Sequence, residues 1–166
     1  MKVLLNLVGI SIVLAACSAT GDHQKIEKEN IAVIERYIKA VETKDTQTMT
    51  ELLADNYVGY GPSFTDSTNK EQAIANWKEN VETLYEKIEY KRTVNIAAEV
   101  KEGPHPGNFV SDWASLKITY KDGRGPVNLN MNAIYRIENG KITLSRTFYN
   151  EADVLRQLGY DFVPAQ

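Results

Sequence analysis

Asp112 is the residue whose setting asks first for a chemical explanation. In Val110-x-Asp112-x-Ala114-x-Leu116-x-Ile118-x-Tyr120 it is the only charged residue on an otherwise apolar strand face. A carboxyl group taken out of water has its pKa raised, towards the range where an acid or base works near neutral pH. Arg146 alternates with Ile142, Leu144, Phe148 and Asn150 on a second strand. If both faces look inward, Asp112 and Arg146 form an ion pair or hold a polar group of a ligand. If they do not, Asp112 sits at the wet end of its strand and Arg146 pairs on the surface. One β-bulge is enough to decide, because an extra residue reverses the facing. His105, between Pro104 and Pro106, could transfer a proton near neutral pH, or it could be a solvated loop histidine. The aromatics Tyr57, Tyr60, Trp77, Trp113, Tyr135, Phe148 and Tyr149 suit the wall of an apolar pocket and equally suit a plain core.

Composition limits the classes of function. The 166 residues are 43% hydrophobic with a net charge of −3, which excludes a disordered chain. No Lys/Arg cluster is present, which speaks against nucleic-acid binding. With 2 His and 1 Cys, a structural zinc site of Cys and His alone cannot be built. The sequence calls for neither a metal nor a cofactor.

The single Cys marks the N-terminal region. Lys2 precedes an apolar run from Val3 to Ala16. That run falls short of the roughly 20 apolar residues of a spanning helix but suits an export signal. Leu14-Ala15-Ala16-Cys17 is similar to a bacterial lipobox. The resemblance implies a signal peptide over 1–16, acylation of Cys17, and a membrane-anchored lipoprotein of the cell envelope. Residues 17–24 then form a polar tether and 25–166 the domain. The alternative is a conventional signal that leaves a free thiol.

The remaining pattern must position the candidates. Ile31, Ile34, Ile38 and Val41 recur at helical steps and predict a helix over 24–43. Asp45 or Thr46 caps a short second helix with Met49, Leu52 and Leu53 on its apolar side. A strand over 56–60 stops at Gly61-Pro62. Thr68-x-x-Glu71 reads as a capping box for a third helix carrying Ile74, Trp77, Val81 and Leu84. From Glu89 the period becomes two, with Tyr90, Val94, Ile96, Ala98 and Val100 marking a long strand. Strands over 109–120, 127–137 and 141–149 follow, the last two joined by Asn139-Gly140, a strong hairpin signal. Asn150 caps a final helix that ends at Gly159. Helices first and antiparallel strands afterwards predict an α+β fold, a curved sheet with helices on one face and a small-molecule site at its mouth. Trp113, Phe109 and Ile134 have the parity of the outer sheet face, where Asn128, Asn130 and Asn132 would make any homodimer contact wet.

Glu35-Arg36-Tyr37-Ile38, Leu53-Ala54-Asp55-Asn56-Tyr57-Val58, Tyr135-Arg136-Ile137-Glu138-Asn139-Gly140-Lys141-Ile142 and Leu155-Arg156-Gln157-Leu158-Gly159 stand in this order. Together they resemble the nuclear-transport-factor-2-like superfamily, and within it the SnoaL-like polyketide-cyclase group. The resemblance implies a cone-shaped antiparallel sheet packed against N-terminal helices. The catalytic Asp of SnoaL-like cyclases falls on Asn150, which cannot act as a base near neutral pH. Ketosteroid isomerases share the fold. Their oxyanion tyrosine matches Tyr37, their basic carboxylate falls on Gly61 and their protonated Asp on Ala133. The resemblance therefore implies a binder of a small, largely apolar molecule, held by Tyr37, Tyr57, Tyr60, Trp77, Asp112, Arg146, Phe148 and Asn150. The rival readings are an isomerase, dehydratase or cyclase using Asp112, His105 or Tyr37, and a protein-interaction module using the outer sheet face.

Overall fold

The computed structural model describes residues 11–163, with side chains from Asp22 onward. Helix α1, Ser11–Thr43, begins earlier than its periodicity suggests and takes in the 17–24 stretch read as a tether. Its sequence holds no Pro and a single Gly, Gly21, so nothing in the chain forces a break. The signal-peptide and lipidation expectations fall on residues 1–10, outside the described residues, and on 11–17, of which only the backbone is described. Among the described residues no helix is long and apolar enough to cross a membrane.

The stripe read on α1 is the buried one. Ile34 is fully buried, and Val33, Ile38 and Val41 lie beside it in the core. Lys44, at φ 58°, turns the chain into helix α2, Thr46–Leu52. Asp45 caps it by accepting from the Thr48 amide at 3.0 Å. Strand β1, Leu53–Tyr60, is longer than expected at its start.

Strand β2, Ser67–Asn69, has no strong sequence signal and pairs back on β1. It also corrects the expected cap. Thr68 is held opposite Gly59 in the sheet, so Asn69 caps helix α3, Lys70–Glu79. Asn69 Oδ1 accepts from the Gln72 amide at 2.9 Å, and Gln72 Oε1 accepts from the Asn69 amide at 3.1 Å. The capping box is real but shifted by one residue. A π-helical turn, Asn80–Leu84, leads into strand β3, Tyr85–Val100.

Strands β4, Gly107–Tyr120, β5, Val127–Glu138, and β6, Lys141–Tyr149, complete a six-stranded sheet in the order β2-β1-β6-β5-β4-β3. All neighbours are antiparallel except β1 and β6. The β5–β6 hairpin turns at Asn139 and Gly140, both at positive φ (51° and 71°), as Asn-Gly requires. Helix α4, Glu151–Gln157, ends in a Schellman motif: the Gly159 amide donates to Arg156 O and the Tyr160 amide to Leu155 O.

The core lies between α1, α2 and one face of this sheet. Ile34 and Ile38 pack with Val110, Ala133, Ile137 and Ile142. Further along the helix Ala40 and Val41 meet Met49, Ile88, Ala114 and Leu116. This is the α+β architecture the pattern predicted, with a curved sheet and helices on its inner face.

Two bulges decide which side chains face that core. Between Tyr90 and Arg92 the β3–β4 register shifts. Tyr90 and Ile88 face inward, but Val94, Ile96 and Val100 beyond the shift face outward, 49%, 50% and 40% exposed. Between Arg136 and Ile137 the β5–β6 register also shifts, so Ile142 is buried while Leu144, Arg146 and Phe148 turn to the outer face. Trp113 lies on that outer face, as its parity indicated, and is 58% exposed.

Candidate functional site

A cavity of about 690 Å³ opens between the inner face of the sheet, α1 and α3. That volume suits a small organic molecule. Every strand of the sheet contributes to its wall, because each presents alternate side chains to the inner face. Of the 9 tyrosines in the chain, all but Tyr160 line it. Trp77 from α3 joins them, with Leu116, Ile118, Leu129 and Met131 between the rings.

The inner end is set by Tyr37 on α1 and Tyr135 on β5, whose rings meet edge to face with centroids 6.0 Å apart. Tyr57 stands beside them, its hydroxyl 2.7 Å from Ser145 Oγ. Gly59 is required here: a Cβ on it would come within 2.5 Å of the Tyr57 hydroxyl. At the outer end Trp77 and Tyr85 have ring centroids 6.2 Å apart, and Tyr85 and Tyr120 5.8 Å apart. Asp66, on the loop between β1 and β2, stands exposed at the rim.

The electrostatics follow from burial. Desolvation pushes the phenols of Tyr37, Tyr90 and Tyr135 above their ordinary value, and Tyr85 up to about 12. They are neutral hydrogen-bonding groups at any physiological pH. Among the described residues lining the cavity none is Lys, Arg, His or Cys, and Asp66 is the one carboxylate. Among the described residues no cluster of three His, Cys, Asp or Glu could hold a metal ion.

Asp112 is fully buried on the inner face. Neither carboxylate oxygen has a hydrogen-bond partner, and burial raises its pKa to about 6. It is not part of the cavity wall. Its charge is felt by Tyr90 and Tyr135, which do line the cavity.

The candidates therefore separate. Tyr37, Tyr57 and Trp77 meet at the cavity; Tyr60 borders it at the end of β1 but stands beside Arg146, with its ring against the guanidinium. Arg146 does not face Asp112. The β6 bulge turns it outward, where its guanidinium lies 4.5 Å from the centre of the Tyr60 ring. Phe148 follows Arg146 to the outer face and is 46% exposed. Asn150 caps α4, accepting from the Asp153 amide at 3.1 Å, outside the cavity. His105 is exposed on its loop and does not reach the cavity. Gly61 does line the mouth, while Ala133 is buried in the core. Asp66, Tyr85, Tyr90 and Tyr120 are cavity residues that were not picked out as such from the sequence. For Tyr90 and Tyr120 the signal was their inward parity on β3 and β4; Tyr85 is turned inward by a register shift before Lys87 that its parity hides, and for Asp66 there was no signal.

This six-stranded curved sheet over N-terminal helices, enclosing one end as a cavity, defines a nuclear-transport-factor-2-like domain. Residues 31–158 match the SnoaL-like polyketide cyclase family, and the chain belongs to that family. No curated protein sequence matches it. Among solved structures it is similar to an epoxide hydrolase of the LEH-like kind from M. tuberculosis, at 16% identity and TM-score 0.61 over 80% of this chain and 90% of that one. An NTF2-like protein from Burkholderia xenovorans is similar at 13% identity and TM-score 0.62, over 80% and 97% of the two chains. A protein of ketosteroid isomerase-like fold from Catenulispora acidiphila, in complex with trimethylamine, is similar at 15% identity and TM-score 0.61, over 80% and 97%. At these identities the likeness is one of fold.

Proposed function

We propose that the chain is an exported, lipid-anchored envelope protein whose domain binds a small, largely apolar molecule in the tyrosine-lined cavity and releases it unchanged. The observation that carries the binding reading is the cavity itself. It is large enough for such a molecule, and its described lining holds no His, Cys or Lys to exchange a proton near neutral pH, while burial pushes the Tyr37 and Tyr85 phenols well above their ordinary value. Acid–base turnover needs such a group within hydrogen-bond reach of the bound molecule. The export reading rests on Lys2, the apolar run to Ala16 and Leu14-Ala15-Ala16-Cys17. Native mass spectrometry of protein purified from its own cells tests the binding reading. A co-purified small molecule, lost on mild denaturation, is the expected result; protein that is consistently empty and takes up no probe counts against it.

One observation favours a second reading, that of an isomerase, dehydratase or cyclase. The Asp112 carboxyl is buried behind Tyr90 and Tyr135, with its pKa raised into a working range. Turnover in an isomerase or dehydratase screen that Asp112→Asn abolishes would establish that reading in place of the first.

A further inference from the structure

We infer that the outer end of the cavity is a cage for an organic cation, a ligand carrying an alkylated or quaternary ammonium group. The inference rests on the binding reading above and names the chemical class of what is bound.

The ring arrangement is the first observation. Trp77, Tyr85, Tyr120 and Tyr149 all line the cavity, the first three as a run of adjoining rings. Trp77 and Tyr85 are inclined at 51° and Tyr85 and Tyr120 at 49°, so the rings do not stack flat on one another. Ring faces in a stacked pair cover each other, whereas tilted rings keep faces free. Those faces carry the negative end of the aromatic quadrupole, and a cation set against them is attracted.

Charge is the second observation. Asp66 stands at the same rim, close enough to Gly61 that a Cβ there would lie 2.9 Å from its Oδ2. Burial pushes the Tyr149 phenol up, and the negative charges of Glu151 and, more weakly, Asp66 add to that. Arg124, whose charge reaches Tyr120, is held by Asp122 at 2.7 Å. No Lys, Arg or His is among the described lining residues, so an anionic ligand would find no counter-charge.

Hydrogen bonding is the third. A purely apolar ligand would take water from the phenol hydroxyls and return no partner, which is unfavourable for each one left unpaired. An alkylated ammonium spreads its charge over its methyl or methylene groups. It meets ring faces, hydroxyl lone pairs and the rim carboxylate without needing a donor or acceptor at a fixed angle. The inner end, walled by the Tyr37, Tyr57 and Tyr135 rings, then takes the rest of the molecule.

An isosteric pair of probes tests this. (4-Hydroxyphenyl)trimethylammonium and 4-tert-butylphenol have the same shape and differ in charge. Both are titrated into the purified protein by isothermal calorimetry at pH 6, where each phenol is neutral. The cage predicts that the cation binds at least about tenfold more tightly than the neutral isostere. It also predicts that Asp66→Asn reduces this preference at least about threefold, weakening the cation far more than 4-tert-butylphenol. Equal binding of both probes, or tighter binding of the neutral one, overturns the cage and leaves the binding reading standing. A preference for the cation that Asp66→Asn does not alter overturns the placement at the rim. Failure of both probes to bind at millimolar concentration removes the binding reading and the cage with it.

Discussion

Asn95 and Asp112 stand directly opposite each other on β3 and β4, both on the inner face, and three of their side-chain oxygens are buried without a partner. Three acceptors buried without a donor are unfavourable. The arrangement is relieved when Asp112 carries a proton, because its hydroxyl can then serve an acceptor. The raised pKa of Asp112, about 6 through burial, is the same statement in terms of pH.

The sign of the resulting pH dependence follows. Between the ordinary value of 3.8 and about 6 the folded chain binds a proton at Asp112 that the unfolded chain has lost. Stability from this group is therefore complete below about pH 4, falls as pH rises through that window, and is flat above it. About 2 pKa units correspond to about 3 kcal/mol. Asp45, Asp55 and Asp122, which are exposed, and Glu89, which is half-buried, are carboxylates with lowered pKa, and they act in the opposite sense at more acid pH. A comparison with Asp112→Asn isolates the buried group. The variant is expected to match wild type in urea denaturation near pH 4 and to exceed it by about 1–3 kcal/mol at pH 7.5. A constant difference at the two pH values would refute the assignment.

Asp112 also shows how far the sequence could be read. Five apolar residues share its parity, but its facing stayed open in the sequence because one bulge would have reversed it; no bulge interrupts β4 at that point, and it faces inward. Arg146 follows an equally regular alternation on β6, yet it points the other way. The register shift beside Ile142 reverses the strand, and nothing in the residue types marks it. The same holds for β3, where Val94 and Ile96 look like core and are exposed. Helices and the β5–β6 hairpin were legible because caps and turns act locally: Asp45, Asn150 and Asn139-Gly140 all do what their types predict. The cavity was legible only as a class, because it depends on which of two faces each strand turns inward.

The Tyr57 position depends on its neighbour Gly59. A methyl group at Gly59 would lie 2.5 Å from the Tyr57 hydroxyl and 2.9 Å from Thr68 Oγ1. Gly59→Ala must therefore displace the ring and break the contact with Ser145, and a loss of about 1–3 kcal/mol is expected. Tyr57→Phe alone forfeits one hydrogen bond, worth about 1 kcal/mol. In the double variant the clashing oxygen is gone, so the two losses should sum to less than their separate values. Simple additivity in a denaturant double-mutant cycle would show that Tyr57 is not the residue that keeps position 59 a glycine.

The Gly140 position separates backbone strain from crowding. Its φ is 71°, and a Cβ there meets nothing within 4 Å. Any effect of Gly140→Val is thus conformational, and about 1–3 kcal/mol is the expected loss. Gly140→Asn should recover much of it, because Asn tolerates positive φ where a β-branched residue does not. Equal thermal midpoints for wild type and Gly140→Val would contradict a turn with both residues at positive φ.

The lipid anchor is tested apart from the fold. Acyl chains, rather than any spanning helix, would hold the protein to the membrane, and two or more chains are needed for stable attachment. All of them depend on the Cys17 thiol, since the chain has 1 Cys. Cys17→Ala is expected to leave the folded domain intact, because among the described residues no buried one precedes Val33. The variant is expected to move from the membrane pellet to the soluble fraction on cell fractionation, or to accumulate uncleaved. Intact-mass analysis of the wild type should show an N-terminus at Cys17 carrying the added mass of acyl groups. Normal processing and membrane retention of Cys17→Ala would refute the anchor while leaving the cavity and its predictions as they are.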